Sequence, residues 1–395
     1  MFDPRDLATL FERAPRDVLS IILDVDPTKP ENQTTNPAYR IWAHSACSRL
    51  HETLPEAARG SADESVRRVL AYLSSGPRHG RGLAIYAATD LWQSFELPAS
   101  VPNRIAYGRA DLLPVLWAGH TYQPYLVVIV DRKHAQIAVV DGDAVRTVAE
   151  AALELNTARW RFEGERPAET TRQTGVRGER AMGEADSFDA KIDARVHEFW
   201  QETARRLGPI ATAEHADLVV ISALAQAGGI VREHLAAPLR AGVVGIEPLY
   251  DHVSLHDVRD RTLPHVLATR RAMQADDVAA AVNGAASARG LSGRERTLAA
   301  LLEGEVRVLL AARDLEGDVR ECGRCGYTTA EAPALCPACG NVMTVEPIRQ
   351  VLPVVARAHG AELRVLDPDI GSRLPEEVGA LTRFVVAAPG RPPAE

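Results

Sequence analysis

Along this chain, apolar runs of strand length alternate with stretches whose apolar residues recur at helical spacing. A short helical pattern over Asp6 to Arg13 precedes Val18 to Val25, which reads as a buried strand ended by Pro27 and Pro30. Helical patterns over Tyr39 to Arg59 and Ala62 to Leu73 follow. Strands are then predicted at Gly82 to Ala88 and Trp92 to Leu97, with a closing helix at Ala110 to Ala118. Strands that alternate with helices predict an α/β layer domain over residues 1–120.

Residues 121–260 repeat the theme. Tyr125 to Asp131 and Ala135 to Val140 read as two paired strands before the turn Asp141-Gly142-Asp143. The polar stretch that follows has no apolar periodicity to anchor it, which predicts an exposed, mobile loop over residues 159–186. Ile192, Val196, Phe199, Trp200 and Leu207 then give an amphipathic helix from Lys191, with Asp186 or Ser187 placed to cap it. Leu218 to Ala223, Gly229 to Leu239 and Val243 to Glu247 read as strand, helix and strand.

A long helical pattern, Leu263 to Ala288, opens the third domain, residues 261–395. Its elements are a helix at Arg294 to Leu302, a strand at Val306 to Ala312, a cysteine insert at 320–345, a helix at Pro347 to His359 and strands at Glu362 to Leu366 and near Leu381 to Ala387. That order predicts an α/β/α sandwich with an insertion after a strand. The fold class expected is therefore α/β, in three domains that are each a mixed α/β layer fold.

Of 395 residues, 46% are hydrophobic, enough for each domain to bury a core. No apolar run approaches the ~20 residues that span a bilayer, and the first residues are neither basic nor apolar, so a soluble cytoplasmic protein without a membrane partner is expected. A net charge of −8 excludes a protein that coats nucleic acid with its whole surface, and no DNA partner is expected. Within the loop the balance reverses. From Arg159 to Arg180 there are six Arg against four Glu, a locally positive segment that reads either as an RNA-binding element or as a solvated connector.

Two groups of residues carry candidate chemistry. Cys322-Gly-Arg-Cys325-Gly and Cys336-Pro-Ala-Cys339-Gly are two knuckles that each direct a pair of thiolates at one ion, and four thiolates complete a tetrahedral zinc shell. With no open position for water or substrate, one structural zinc ion is expected there, and a redox dithiol is the weaker reading because it does not need two matched pairs. Cys47, alone, reads as a buried thiol. The second group is Gly175-Val176-Arg177-Gly178-Glu179-Arg180, where the glycines allow close approach to a large partner and Arg172, Arg177 and Arg180 suit phosphates. His252 and His256 are four apart but have no third ligand nearby. No phosphate loop, dinucleotide-binding glycine motif or nucleophile elbow is present, which argues against a nucleotide hydrolase.

Laid out in this order, the chain resembles the bacterial branch of the archaeo-eukaryotic class-1 release factor and Pelota superfamily. Leu19-Ser-Ile-Ile-Leu and Gly82-Leu-Ala-Ile-Tyr are similar to the family's core strands, Tyr125 to Val140 to its opening hairpin, and Thr297 to Leu310 to its helix-strand entry, after which archaeal members carry a zinc ribbon. Gly175 to Glu179 stands where release factors carry their Gly-Gly-Gln loop, with Gly178-Glu179 in place of Gly-Gln. Glutamate lacks the amide donor and brings a charge toward an anionic RNA. Thr35 to Arg40 occupies the region of the stop-codon-reading loop without its pattern.

The resemblance implies a release-factor-like, three-domain protein that enters the ribosomal A site. Its RNA contacts would come from Arg159, Arg161, Arg172, Gly175, Arg177, Gly178 and Arg180 near the peptidyl-transferase centre, and its third domain would face a partner translational GTPase or the ribosomal stalk base. Balon-like relatives that also lack the glutamine loop imply a hibernation or ribosome-protection factor that does not decode stop codons. The alternative is a peptidyl-tRNA hydrolase of release, rescue or quality control, with Gly178, Glu179 and Gln173 as the candidate catalytic residues.

Overall fold

A computed structural model describes residues 15–76, 80–154, 177–240, 242–249, 254–284 and 289–384, together with residues 7, 10 and 11; for 177–188 it describes the backbone alone. The chain divides into two compact units, one made of residues 1–122 and 270–395, the other of residues 123–269. Their boundary at 269/270 falls inside a helix.

The first unit opens with β1 (Val18–Asp24), α1 (Ala38–Thr53), α2 (Glu56–Ser74), β2 (Gly82–Ala88), β3 (Leu91–Leu97), β4 (Arg104–Gly108) and α3 (Leu113–Thr121). One break separates the first two helices, because Pro55 has no N–H to continue the ladder and starts α2 instead. The sheet has the order β3-β2-β1-β4 and all its pairs are antiparallel. Alternation sends Leu19, Ile21 and Leu23 of β1 to one face, against Tyr39, Ala43 and Cys47 of α1 and Val69 and Leu73 of α2.

The second unit holds β5 (Tyr125–Val130), β6 (His134–Asp141), β7 (Ala144–Ala152), α4 (Arg177–Ala213), β8 (Leu218–Ser222), α5 (Ala225–Glu233), α6 (Ala237–Arg240), β9 (Val243–Ile246) and the first half of α7 (Leu255–Asn283). Its sheet order is β7-β6-β5-β8-β9, with β5, β8 and β9 parallel. On one face Leu126 and Val128 meet Val196, Trp200, Ala204 and Leu207 of α4, and Trp200 Nε1 donates to the Asp131 carbonyl at 2.7 Å. On the other, Tyr125, Val127 and Val220 meet Val258 and Val266 of α7.

The chain then returns to the first unit with β10 (Gly290–Ser292), α8 (Arg294–Leu302), β11 (Val306–Ala312), β12 (Asp318–Cys322), β13 (Thr328–Thr329), β14 (Met343–Pro347), α9 (Ile348–Ala358), β15 (Glu362–Leu366), α10 (Pro368–Gly371) and β16 (Val378–Thr382). A mixed sheet, β10-β16-β11-β15, has helices on both faces: α7 and α10 through Val278, Ala281 and Ile370, and α8 and α9 through Leu298, Leu301, Val351 and Leu352. The expected α/β/α sandwich is present, and the small sheet β13-β12-β14 is its insertion.

One hydrophobic cluster joins the beginning and end of the chain. Val18, Ile22, Ala84 and Tyr86, on the face of the first sheet turned away from α1 and α2, belong to the same buried cluster as Ile348, Val351, Leu352 and Leu309. Helix α9 is buried along most of its length because it serves both layers.

Three local expectations are corrected. Residues 177–186, expected in a loop, are helical and belong to α4, because Glu179, Arg180, Ala181, Met182, Glu184 and Ala185 are good helix formers, which hold a helix without an apolar stripe. Helix α7 starts at Leu255 and takes Pro264 into its interior. The final strand is Val378–Thr382, ahead of the position expected near Leu381 to Ala387. The helix expected at Asp6 to Arg13 lies mostly outside the described residues.

Candidate functional site

The four expected metal ligands come together. One ligand atom from each of Cys322, Cys325, Cys336 and Cys339 can be chosen so that all lie within 4.8 Å of one another, and the Sγ pairs Cys322/Cys339 and Cys325/Cys336 are each 3.5 Å apart. A tetrahedral Zn–S shell with bonds of ~2.3 Å requires sulfur separations of roughly 3.8 Å, so the set fits a single ion.

The two knuckles share one backbone device. Gly326 N donates to the Cys322 carbonyl at 2.9 Å, and Gly340 N to the Cys336 carbonyl at 2.8 Å. Each glycine sits at positive φ, +75° and +71°, where an L side chain would be strained. The return bonds, Cys322 N to the Tyr327 carbonyl and Cys336 N to the Asn341 carbonyl, close each turn. Backbone N–H groups of Cys325 and Arg324 draw the Cys322 thiol down to about 6. The Cys325 thiol is instead pushed up to about 12 by desolvation and by the neighbouring sulfurs, against the pull of the Tyr327 N–H. A bound dication removes that conflict by favouring all four thiolates. Cys47 is buried and its thiol is raised to about 11 by burial, as suits a core residue.

The ribbon is tied to its surroundings by two carboxylates. Buried Glu321, next to Cys322, accepts from Arg109 Nη2 at 2.8 Å and from Arg16 Nη2 at 3.2 Å. Glu295, in the first turn of α8, accepts from Thr329 Oγ1 at 2.8 Å and from Ala330 N at 2.7 Å. These anchors hold a small sheet whose own buried cluster is Cys322, Cys336 and Met343.

Near them lies a buried charge pair that the sequence did not reveal. Arg349 Nε approaches Asp111 Oδ2 to 2.8 Å with both side chains almost wholly buried, although the N–H is not aligned for a hydrogen bond. Burial pushes the Asp111 carboxyl above its usual range, and Arg349 opposes the shift only in part. Asp111 N donates to Ser20 Oγ at 3.1 Å, and the Asp111 carbonyl accepts from Tyr86 Oη at 2.8 Å.

The second candidate group is described only in part. Arg159, Arg161, Arg172, Gln173 and Gly175 lie outside the described residues. Arg177, Gly178, Glu179 and Arg180 lie in α4, described there as backbone alone. His256 is exposed and 3.4 Å from Asp260, and His252 is outside the described residues. No helix among the described residues is long and apolar enough to cross a membrane.

Residues 111–288 match the family model of bacterial archaeo-eukaryotic release factor family 10. No curated protein matches the chain. Among solved structures, an archaeal translation termination factor, aRF1, aligns at 14% identity over 97% of this chain and 99% of its own, with a TM-score of 0.22. Archaeoglobus fulgidus Pelota aligns at 12% over 77% and 79%, with a TM-score of 0.31. Saccharomyces cerevisiae Dom34, described as a translation termination-like factor that interacts with Hbs1, aligns at 9% over 77% and 81%, with a TM-score of 0.40. At these scores the structural likeness carries no argument by itself.

Proposed function

From the match of residues 111–288 to the family model of bacterial archaeo-eukaryotic release factor family 10, we propose that this protein is a ribosome-binding translation factor that occupies the A site without hydrolysing peptidyl-tRNA. The observation that carries the reading is that the family match spans the segment holding Gly178-Glu179. Where hydrolysing relatives place a glutamine amide, this chain presents a carboxylate, which accepts hydrogen bonds and repels phosphates. Binding is retained by the arginines around it, and the chemistry is absent. A cytoplasmic hibernation or ribosome-protection role follows.

Within this reading the three-domain division at residues 120 and 260 is kept. In this reading the third domain faces a translational GTPase. The ion at Cys322, Cys325, Cys336 and Cys339 is zinc, and it is structural because all four positions are filled by thiolates.

Sedimentation of the purified protein with vacant and with peptidyl-tRNA-loaded ribosomes, followed by a gel for released peptidyl-tRNA, tests this. Comigration without release is expected. Release that is lost in Glu179→Ala or Gln173→Ala would replace it with the hydrolase reading. Failure to comigrate at low salt would remove both.

A further inference from the structure

The second unit carries a cleft that neither the family match nor the loop accounts for. It runs along the carboxyl ends of the parallel strands β5, β8 and β9, in two lobes of about 900 and 640 Å³ that share Leu224, Pro248 and Leu249. The chain leaves β5 toward β6 and leaves β8, through α5, toward β9. Adjacent parallel strands whose connections depart in opposite directions open a crevice at their carboxyl ends, the usual ligand position of such sheets.

The larger lobe has the chemistry of an anion site over an apolar floor. Arg232 projects from α5, and Arg261 and His265 lie one turn apart on α7. None of the three has an ion-pair or side-chain hydrogen-bond partner among the described residues. Their neighbour Arg259 differs, since it is paired with Asp143 and Asp260. Among the described residues, Glu247 is the only acidic group lining this lobe. The floor is formed by Ile221 and Leu249, and Leu224 stands at the rim 68% exposed, an unusual position for a large apolar side chain. Gly229, open to the lobe, has no atom within 4 Å of the place a Cβ would take, so a ligand reaches the α5 backbone directly.

We propose that this cleft binds a nucleotide unit, its phosphate between Arg232, Arg261 and His265 and its ring on Leu224 and Leu249. The charge selects phosphate, and the apolar floor selects a flat ring in preference to a bare ion. Free nucleotide and an unstacked residue of a single-stranded RNA share this chemistry. The proposal does not depend on ribosome binding through the arginine-rich segment.

Adenosine 5′-monophosphate, a 5′-phosphorylated oligoadenylate and inorganic phosphate are titrated calorimetrically into the full chain. Wild type is expected to bind the first two more tightly than inorganic phosphate. Arg232→Ala and Arg261→Ala should each weaken adenosine monophosphate or oligoadenylate about tenfold or more, while Arg195→Ala, on α4, leaves both unchanged. Leu224→Ala should weaken the nucleotides and spare inorganic phosphate. All four positions are exposed, so folded variants are expected, and a thermal melt checks this. Equal binding of the monophosphate and the oligomer identifies a free-nucleotide site, and preference for the oligomer identifies an RNA site; each supports the proposal. Absence of saturable binding in the millimolar range, or binding indifferent to both arginine substitutions, overturns it.

Discussion

Trp117 Nε1 donates to Asp367 Oδ1 at 2.6 Å, although 250 residues separate the two in sequence. The same carboxylate accepts from Arg271 Nη1 at 2.6 Å, and Arg313 stacks 4.5 Å from the Trp117 ring centroid. Asp367→Ala strands a buried indole N–H and should lower stability by about 2–3 kcal/mol. Asp367→Asn keeps an acceptor for the indole and gives up only a half-exposed ion pair, so about 1 kcal/mol is expected. Urea unfolding followed by tryptophan fluorescence separates the two, and equal losses would refute the assigned roles.

The Asp111–Arg349 pair should be costly to break on one side only. Arg349→Met leaves a buried carboxylate without its counter-charge and should cost about 3–5 kcal/mol at neutral pH. The double variant Asp111→Leu/Arg349→Met should recover most of that loss. A double that is no better than Arg349→Met would mean that the arginine acts through packing.

A pH dependence follows from the same carboxyl. Its folded value is raised above 3.8, so the folded chain holds this proton more tightly than the unfolded chain does. Through this group stability rises as pH falls from above the raised value toward 3.8, and it is lost again as pH climbs back through the raised value. Wild type should therefore gain on Asp111→Asn when the two are compared across that acidic window. A constant difference between their unfolding free energies would show that the shift does not operate.

Metal content gives a direct reading of the cysteine centre. Purified protein should carry one zinc ion, and Cys325→Ser or Cys339→Ser should lose it together with amide protection at residues 318–347. Residues 123–269 should keep their protection, since their core is their own. Loss of protection throughout the chain would mean that the ribbon supports more than its own sheet.

The two units should also melt separately. Leu352→Ala, at a fully buried position, should cost about 2–5 kcal/mol and lower only the transition that includes residues 1–122 and 270–395. Val128→Ala should lower only the other. Differential scanning calorimetry distinguishes this from a single transition that shifts in both variants.

Much of this was legible in the residues. Helix Arg294–Leu302 and strand Val306–Ala312 have clean periodicity and lie where it predicts. The four thiolates were legible because two knuckles of fixed spacing bring their sulfurs together by local geometry alone. Strand β4 was missed because every one of its five residues is half-buried and it has no apolar face. Strand β7 was missed because its alternation is diluted by Arg146, Thr147 and four alanines. In β16 the signal is hidden by packing: a Cβ at Gly379 would lie 2.9 Å from Leu374 Cδ2 and 3.0 Å from the Leu291 carbonyl, so a small residue stands where a branched one would mark a strand. The pair Asp111–Arg349 has no one-dimensional trace, because nothing in periodicity says which distant face a buried charge will meet.

The cluster that joins Val18 and Ile22 to Ile348 and Leu352 sets an order on biosynthesis. Val18 is made roughly 330 residues before Ile348. At about 5–20 residues per second its second face waits on the order of 20–60 s for a cover. Residues 123–269 are complete within that interval and can close their own core while the flanking segments stay open. The nascent chain thus exposes an apolar sheet through most of its synthesis, which makes the early segment a natural client for a holding chaperone.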